Sequence, residues 1–123
     1  VSMKEAPMNR RDFIASMCLF TLSAPYLRAD TPNISGPLTA INANVLFMRH
    51  ALAPGFGDPT EFDVAKCNTQ RNLNDEGRAQ AKAIGAALTA SGLVFDTVYS
   101  SQWCRCQDTA ELMNVGEIKL FQG

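Results

Sequence analysis

One histidine, His50, stands beside an arginine, Arg49, directly after an apolar run of the chain. It is the only histidine among the 123 residues, and a loop rich in glycine and proline follows it. A lone histidine is more often structural than catalytic. A neutral imidazole is nevertheless available near pH 7 as a nucleophile or a base. The position between an apolar run and a long loop favours Arg49-His50 as the centre of any chemistry.

The residues that precede this pair predict a strand that positions it. In the segment 44–48, Asn44 is followed by four apolar residues without a break. This pattern is typical of a strand buried on both faces of a parallel sheet. Ligands bind at the carboxyl ends of the strands in such sheets, which is where Arg49 and His50 would lie. The connection 51–73 holds two prolines and two glycines, and loops this long are usually functional.

The rest of the body predicts helices that alternate with strands. A helix is expected between the N-cap Asn74 and a stop at Gly92, and a second one after Ser100 and Ser101. The first helix carries an apolar stripe of Gly77, Ala81, Ile84 and Leu88, and the second carries Trp103, Cys106, Ala110 and Met113 on its inner face. Strands are expected at 95–99 and 117–121. This order predicts a parallel α/β sheet with right-handed crossovers.

Charge is uneven along the chain. Residues 1–29 hold four bases and two acids, whereas the remaining 94 residues hold seven bases and ten acids. The ordinary composition, with 46% apolar residues, argues against a disordered acidic tail and against a nucleic-acid binder. A negative body does not attract anions from a distance, so any anion site must be local.

The N-terminal segment 1–29 is interpreted as an export signal. Arg10 and Arg11 precede an uncharged stretch that is too short to span a bilayer but suits a signal peptide. The pair followed by Phe13-Ile14 resembles the twin-arginine signature of bacteria, which predicts a periplasmic or secreted protein and the export machinery as a partner. Met8 is the natural initiator of so short a leader. Residues 30–44, with two prolines and a glycine, are expected to be a linker without regular structure.

Three segments together resemble the histidine phosphatase (phosphoglycerate mutase-like) superfamily. Residues 46–51 are similar to its Arg-His-Gly signature, and residues 73–81 to its Leu-Thr/Ser-x-x-Gly-x-x-Gln-Ala helix start. Residues 98–110 are similar to its Ser-Ser-x-x-x-Arg-x-x-x-Thr-Ala block, and the run 67–73 is most similar to small exported members. The resemblance implies a three-layer α/β/α fold with a parallel sheet, present here only in part, over residues 45–123.

The resemblance also implies roles for individual residues. His50 would take up phosphate, with Arg49 and Arg105 as the arginines of the phosphate pocket. Arginine suits this task because its fork of N–H donors binds phosphate bidentately and keeps its charge. Arg71, at the end of the long loop, is either a further phosphate ligand or an arginine that braces the loop. The expected partner is a small phosphorylated substrate, with no nucleic acid and no stable membrane span.

Two departures from the family pattern bear on function. Ala51 replaces the usual glycine. The family's second pocket histidine, which lies on a later strand, has no counterpart in this sequence, and no proton-donating carboxylate is identified. Asp58, Glu61 and Asp63 lie in the loop as candidates for that proton, although each is more simply a solvated charge.

The cysteines predict a disulfide rather than a metal site. Cys104 and Cys106 with a distant Cys67 fit no common zinc pattern, so neither a metal nor another cofactor is expected. If the protein is exported, Cys67–Cys104 is the plausible bridge, and two free thiols are the alternative. Cys106 shares the apolar stripe of its helix and is expected to be buried.

Three functional hypotheses remain open at this level. The first is an exported phosphohydrolase that acts through a phosphohistidine on His50. The second is a phosphate-binding module without catalysis. The third is an incomplete member of the family, because the sequence stops inside an expected third strand. In that case Val45–Met48 would present an unpaired apolar edge that is prone to aggregation.

Overall fold

The structure is a computed structural model that describes residues 33–121. The predicted signal segment 1–29 lies outside the described residues. The elements are, in order, α1 (Ser35–Ala40), a 3-10 turn (Cys67–Thr69), α2 (Asp75–Ala90), β1 (Val98–Ser101), α3 (Cys104–Met113) and β2 (Ile118–Phe121). Within this part of the chain, no helix is both long enough and apolar enough to cross a membrane.

Helix α2 begins and ends where its sequence predicts. The side chain of Asn74 accepts a hydrogen bond of 2.8 Å from the backbone N–H of Gly77, and Asp75 and Glu76 occupy the first turn. Carboxylates there interact favourably with the positive end of the helix dipole. Gly92 follows the helix with φ of +74°, a conformation that glycine adopts without strain. Three residues of the predicted stripe are buried, and Gly85 joins them.

The two strands form a parallel pair, with Val98 opposite Ile118 and Ser101 opposite Phe121. Helix α3 connects them and also packs on α2. The strand expected at 95–99 begins three residues later than predicted, whereas the one expected at 117–121 is observed from Ile118 onward. The described residues therefore form a small α/β structure, consistent with part of the expected fold.

The predicted buried strand at 44–48 is wrong. These residues form no strand in the described part of the chain, and Phe47 is 91% exposed. Both observed strands pair only with each other, so the backbone of this segment has no ladder to join. An apolar run becomes a buried strand only when layers cover both of its faces. Here the segment faces one apolar groove, which Leu88, Met113 and Val115 help to line.

The expected linker at 30–44 contains regular structure, contrary to prediction. Helix α1 occupies Ser35–Ala40 even though it includes Gly36 and Pro37. The side chain of Asn33 accepts hydrogen bonds from the backbone N–H and the hydroxyl of Ser35, and these bonds hold the start of the helix. Proline is tolerated in a first helical turn because the N–H that it lacks would have no partner within the helix.

Close backbone approaches hold the core together. A Cβ atom on Gly77 would lie 1.9 Å from the carbonyl oxygen of Leu52, and one on Gly85 would lie 2.0 Å from that of Met113. Only glycine allows α2 to approach both neighbours so closely. The buried side chains of Ala51, Ala81 and Met113 form the centre of the core beside these approaches.

Candidate functional site

His50 lies at the rim of a cavity of about 160 Å³. Its Nδ1 atom is 2.7 Å from the carbonyl oxygen of Ala51. A carbonyl oxygen only accepts hydrogen bonds, so Nδ1 carries the proton of the neutral ring and Nε2 keeps its lone pair. The cavity is lined by residues of the His50 segment, β1 and α3: Met48, Arg49, His50, Val98, Tyr99, Ser100, Ser101, Cys106, Thr109, Ala110 and Met113.

The backbone after His50 is fixed by side chains from α2 and α3. The N–H of Ala51 donates to the hydroxyl of Thr109 at 3.0 Å, and this hydroxyl donates to the carbonyl of Arg105 at 2.7 Å. The N–H of Leu52 donates to the side-chain oxygen of Gln80 at 2.8 Å. The segment that carries His50 is therefore attached to α3 and α2 by named hydrogen bonds, although it belongs to no strand.

Arg105 lies in an ion pair with Asp58 of the long loop. Its Nη1 atom donates to both carboxylate oxygens, at 2.9 and 3.1 Å. The side chains are only 11% and 9% exposed. The guanidinium also lies over the ring of Trp103, with 4.7 Å between its carbon and the ring centroid, and Trp103 in turn packs against Phe62. These contacts fix both the position and the plane of the guanidinium.

Arg71 also contacts Asp58, and its side chain braces the loop. Its Nη1 atom donates to the carbonyl oxygens of Ala53 and Gly55, the latter at 3.0 Å. Its backbone N–H donates to Asp58 at 2.8 Å. This bond is the main cause that lowers the pKa of Asp58 from its ordinary value, with the guanidinium of Arg105 adding to the effect. Asp58 is therefore a carboxylate at neutral pH.

The predicted phosphate ligands differ in their contacts. Arg49 is exposed and lines the same cavity as His50, whereas Arg71 and Arg105 gather around Asp58 and are not among the residues that line this cavity. The loop-bracing role left open for Arg71 matches its hydrogen bonds. Of the other loop acids, Asp63 forms a salt bridge of 3.2 Å with Lys66, and Glu61 is exposed.

Cys67 and Cys104 lie at disulfide distance, with their Cα atoms 5.6 Å apart. The bridge attaches the long loop to the first residue of α3. Gln70, only 7% exposed, reinforces this attachment: it accepts from the N–H of Cys104 at 3.0 Å and donates to the carbonyls of Asp63 and Val64. Cys106 carries a free thiol that is half-buried on the cavity wall, not fully buried as predicted.

Sequence reasoning missed three residues that shape the site. Thr109 and Gln80 both belong to the family-like motifs, so their presence there was a signal that they contact the His50 segment. Asp58 was considered only as a solvated loop charge or proton donor, and its ion pair with Arg105 spans 47 positions of the sequence. No spacing rule reveals such a pair. In residues 33–121, no three His, Cys, Asp or Glu side chains converge as metal ligands would.

Two curated proteins are similar in sequence to part of this chain. The chain is 34% identical over 67 residues to the serine/threonine-protein phosphatase Pgam5, mitochondrial, of Drosophila mojavensis, which covers 54% of this chain and 22% of the relative. It is 45% identical over 42 residues to a 2,3-bisphosphoglycerate-dependent phosphoglycerate mutase of Azorhizobium caulinodans, covering 34% of this chain and 20% of the relative.

The chain thus spans about a fifth of the length of these curated relatives. No solved structure gives a significant match. The model of the histidine phosphatase superfamily (branch 1) matches residues 45–119, a range that includes His50, Arg105, the elements from α2 to α3 and the first two residues of β2. Since this match covers more than half of the sequence, the chain belongs to branch 1 of the histidine phosphatase superfamily.

Proposed function

We propose that this protein transfers phosphate from a phosphomonoester to His50 and releases it to water. The observation that carries the proposal is the hydrogen bond from Nδ1 of His50 to the carbonyl of Ala51, which in the neutral ring places the lone pair on Nε2. Phosphoryl transfer to a side chain requires such a free lone pair, aligned with the phosphorus. Membership of the superfamily supports the same reaction.

The reaction proceeds in two balanced steps. Nε2 forms a bond to phosphorus while the bond from phosphorus to the ester oxygen breaks, and the departing alkoxide takes up a proton from solvent. Water then attacks the phosphorus of the phosphohistidine, which releases inorganic phosphate and returns neutral His50. Arg49, on the same cavity, is placed to offset the negative charge of the phosphoryl oxygens.

A second candidate function is a module that binds phosphate or accepts it once, without turnover. It is favoured by the lining of the cavity beside His50, which includes no carboxylate among the described residues. An alkoxide leaving group needs a proton, and general acid catalysis typically contributes about 10²–10⁴-fold to the rate. The two candidates therefore differ in their dependence on the leaving group.

Labelling of the protein tests both candidates. We expect p-nitrophenyl phosphate, whose leaving group needs no proton, to label wild-type protein, and mass spectrometry to place acid-labile phosphate on His50. His50→Ala should abolish the label, whereas Glu61→Gln, a change in the exposed part of the loop, should retain it. Label that persists in His50→Ala contradicts the mechanism. Turnover of an alkyl phosphate favours the phosphohydrolase, and stoichiometric labelling without turnover favours the module.

We propose further that the protein acts outside the cytoplasm, after export through the twin-arginine route. The disulfide supports this proposal, since such bonds persist in oxidising compartments. A fusion of residues 8–35 to a reporter that is active only after transport provides the test. Replacement of Arg10 and Arg11 by lysine should abolish transport, and transport that continues unchanged contradicts the twin-arginine interpretation.

A further inference from the structure

The cluster around Asp58 holds more positive than negative charge. The guanidinium of Arg105 and the backbone N–H of Arg71 both contact this one carboxylate, and the two partners of the ion pair, Arg105 and Asp58, are nearly buried. The Nε atoms of both arginines are buried and have no hydrogen-bond partner among the described residues. A buried cationic group that is only partly compensated favours an anionic ligand.

All hydrogen bonds observed from the guanidinium of Arg105 come from one nitrogen atom. Both oxygens of Asp58 and the carbonyl of Arg71, at 3.4 Å, accept from the same atom, Nη1. None of the described residues accepts from Nη2. The ring of Trp103 holds the plane of the guanidinium from one face. Asp58 therefore occupies one edge of the guanidinium and leaves Nη2 available for a ligand.

The backbone of Arg105 is also coupled to the His50 segment. The hydroxyl of Thr109 connects the carbonyl of Arg105 to the N–H of Ala51. The disulfide and Gln70 attach the loop that carries Asp58 to the first residue of α3, one position before Arg105. Asp58 and the guanidinium of Arg105 are thus held by the same short stretch of α3 that fixes the backbone beside His50.

We propose that Asp58 is a positioning residue that orients Arg105 to bind the phosphoryl group of the substrate. It does not touch the phosphate, and it acts only through the guanidinium. The inference rests on the proposed function in one respect, that the ligand of Arg105 is phosphate. The opposite role, a carboxylate that occupies the arginine in place of phosphate, predicts a change of affinity in the other direction, so the two roles are separable by experiment.

Titration of the full chain with inorganic phosphate, followed by NMR, measures the affinity directly. Asp58→Asn should weaken binding by about tenfold, within the range of coupling energies typical of residues that share one hydrogen-bond or salt-bridge network. Glu61→Gln removes the same charge from the same loop without a contact to Arg105 and should leave binding unchanged or slightly tighter. Binding that is equal or tighter in Asp58→Asn than in wild type overturns the inference.

A double-mutant cycle shows whether Asp58 acts through Arg105. Phosphate affinity of Asp58→Asn/Arg105→Ala should equal that of Arg105→Ala alone, a result that a general loss of structure would not give. Urea unfolding of each variant verifies the fold. If Asp58→Asn does not fold, Asp58→Glu replaces it, since it keeps the charge but displaces the carboxylate; its affinity should fall between wild type and Arg105→Ala, and unchanged affinity overturns the inference.

The inference and the proposed function can fail separately. If Asp58→Asn binds phosphate as well as wild type does and His50 is still labelled, the role of Asp58 is overturned but the proposed function is not. Label on His50 without measurable affinity for phosphate also overturns that role. Absence of both label and phosphate binding in the wild-type protein contradicts the proposed function itself.

Discussion

The hydroxyl of Thr109, in the middle of α3, accepts a hydrogen bond from the N–H of Ala51 at a sequence separation of 58 residues. This contact fixes the backbone beside His50 even though the preceding segment joins no sheet. Both Thr109 and Ala51 are buried, so water does not replace the bond when it is lost. Position 109 is therefore expected to affect both stability and the site.

Thr109→Val should lower the free energy of unfolding by about 1–3 kcal/mol, because it leaves a buried N–H without an acceptor. It should also reduce phosphate labelling of His50. Thr109→Ser keeps the hydroxyl and serves as the control, with labelling close to that of wild type. Urea unfolding and labelling measure the two effects, and a fully stable Thr109→Val variant would show that the bond contributes little.

Gly77→Ala should be destabilising by about 1–3 kcal/mol or more, since the added methyl group meets the backbone of Leu52, which cannot move without displacing the residues next to it. Gly36→Ala is a matched control in α1, where an added methyl has no heavy atom within 4 Å, and its effect should stay below about 1 kcal/mol. Thermal unfolding compares the two. Equal stability of both variants would contradict the close approach of α2.

Loss of the disulfide should destabilise the protein by about 3–4 kcal/mol in the chain-entropy model. The bridge joins residues 37 positions apart, and the variant Cys67→Ser/Cys104→Ser tests it against Cys106→Ser, which removes only a free thiol. Urea unfolding without reductant gives the difference. Peptide mapping that finds Cys67 alkylated in protein from an oxidising compartment would contradict the bridge.

The ion pair of Asp58 should make stability depend on pH in the acid range. Its pKa in the folded state lies below the ordinary value, so its contribution is complete above the unfolded pKa and is lost as pH falls through the folded pKa. The stability gap between wild type and Asp58→Asn should therefore be constant above about pH 5 and close at lower pH. Urea unfolding at several pH values measures it, and a gap that persists in acid argues against this ion pair.

The exposed segment before His50 should promote self-association. Phe47 is 91% exposed in a stretch that pairs with neither strand. Phe47→Lys should reduce concentration-dependent association, as measured by analytical ultracentrifugation, because a charge within an exposed apolar stretch opposes its burial between copies of the chain. Phe56→Lys, at a residue that is fully exposed in the loop, should change it less. Equal effects of the two substitutions would indicate association that does not depend on the segment before His50.

The helices could be predicted from the sequence because their signals are local. Asn74 forms the N-cap that its residue type indicates, and Gly92 has the positive φ that ends α2. The sequence also predicted a pair of Cys67 and Cys104 for an exported protein, and the two residues lie at disulfide distance. For the site, the adjacency of Arg49 and His50 was enough to place both on one cavity.

What the sequence could not provide depends on distant partners. An apolar run such as 44–48 indicates a tendency to be buried, but its burial depends on layers that the run does not encode. The ion pair of Asp58 and Arg105 joins a loop to a helix, and it follows from the path of the loop rather than from spacing.

The two glycines of α2 fix the length of helix between its two close backbone contacts. Gly77 and Gly85 are about 12 Å apart along the axis and about 80° apart around it, from ideal helix geometry. One meets the backbone just after His50 and the other meets the last residue of α3. A single residue inserted between them would turn one glycine by about 100° and place a larger side chain against a backbone carbonyl. Length changes in this helix should therefore be far less tolerated than equal changes in the loop 51–73.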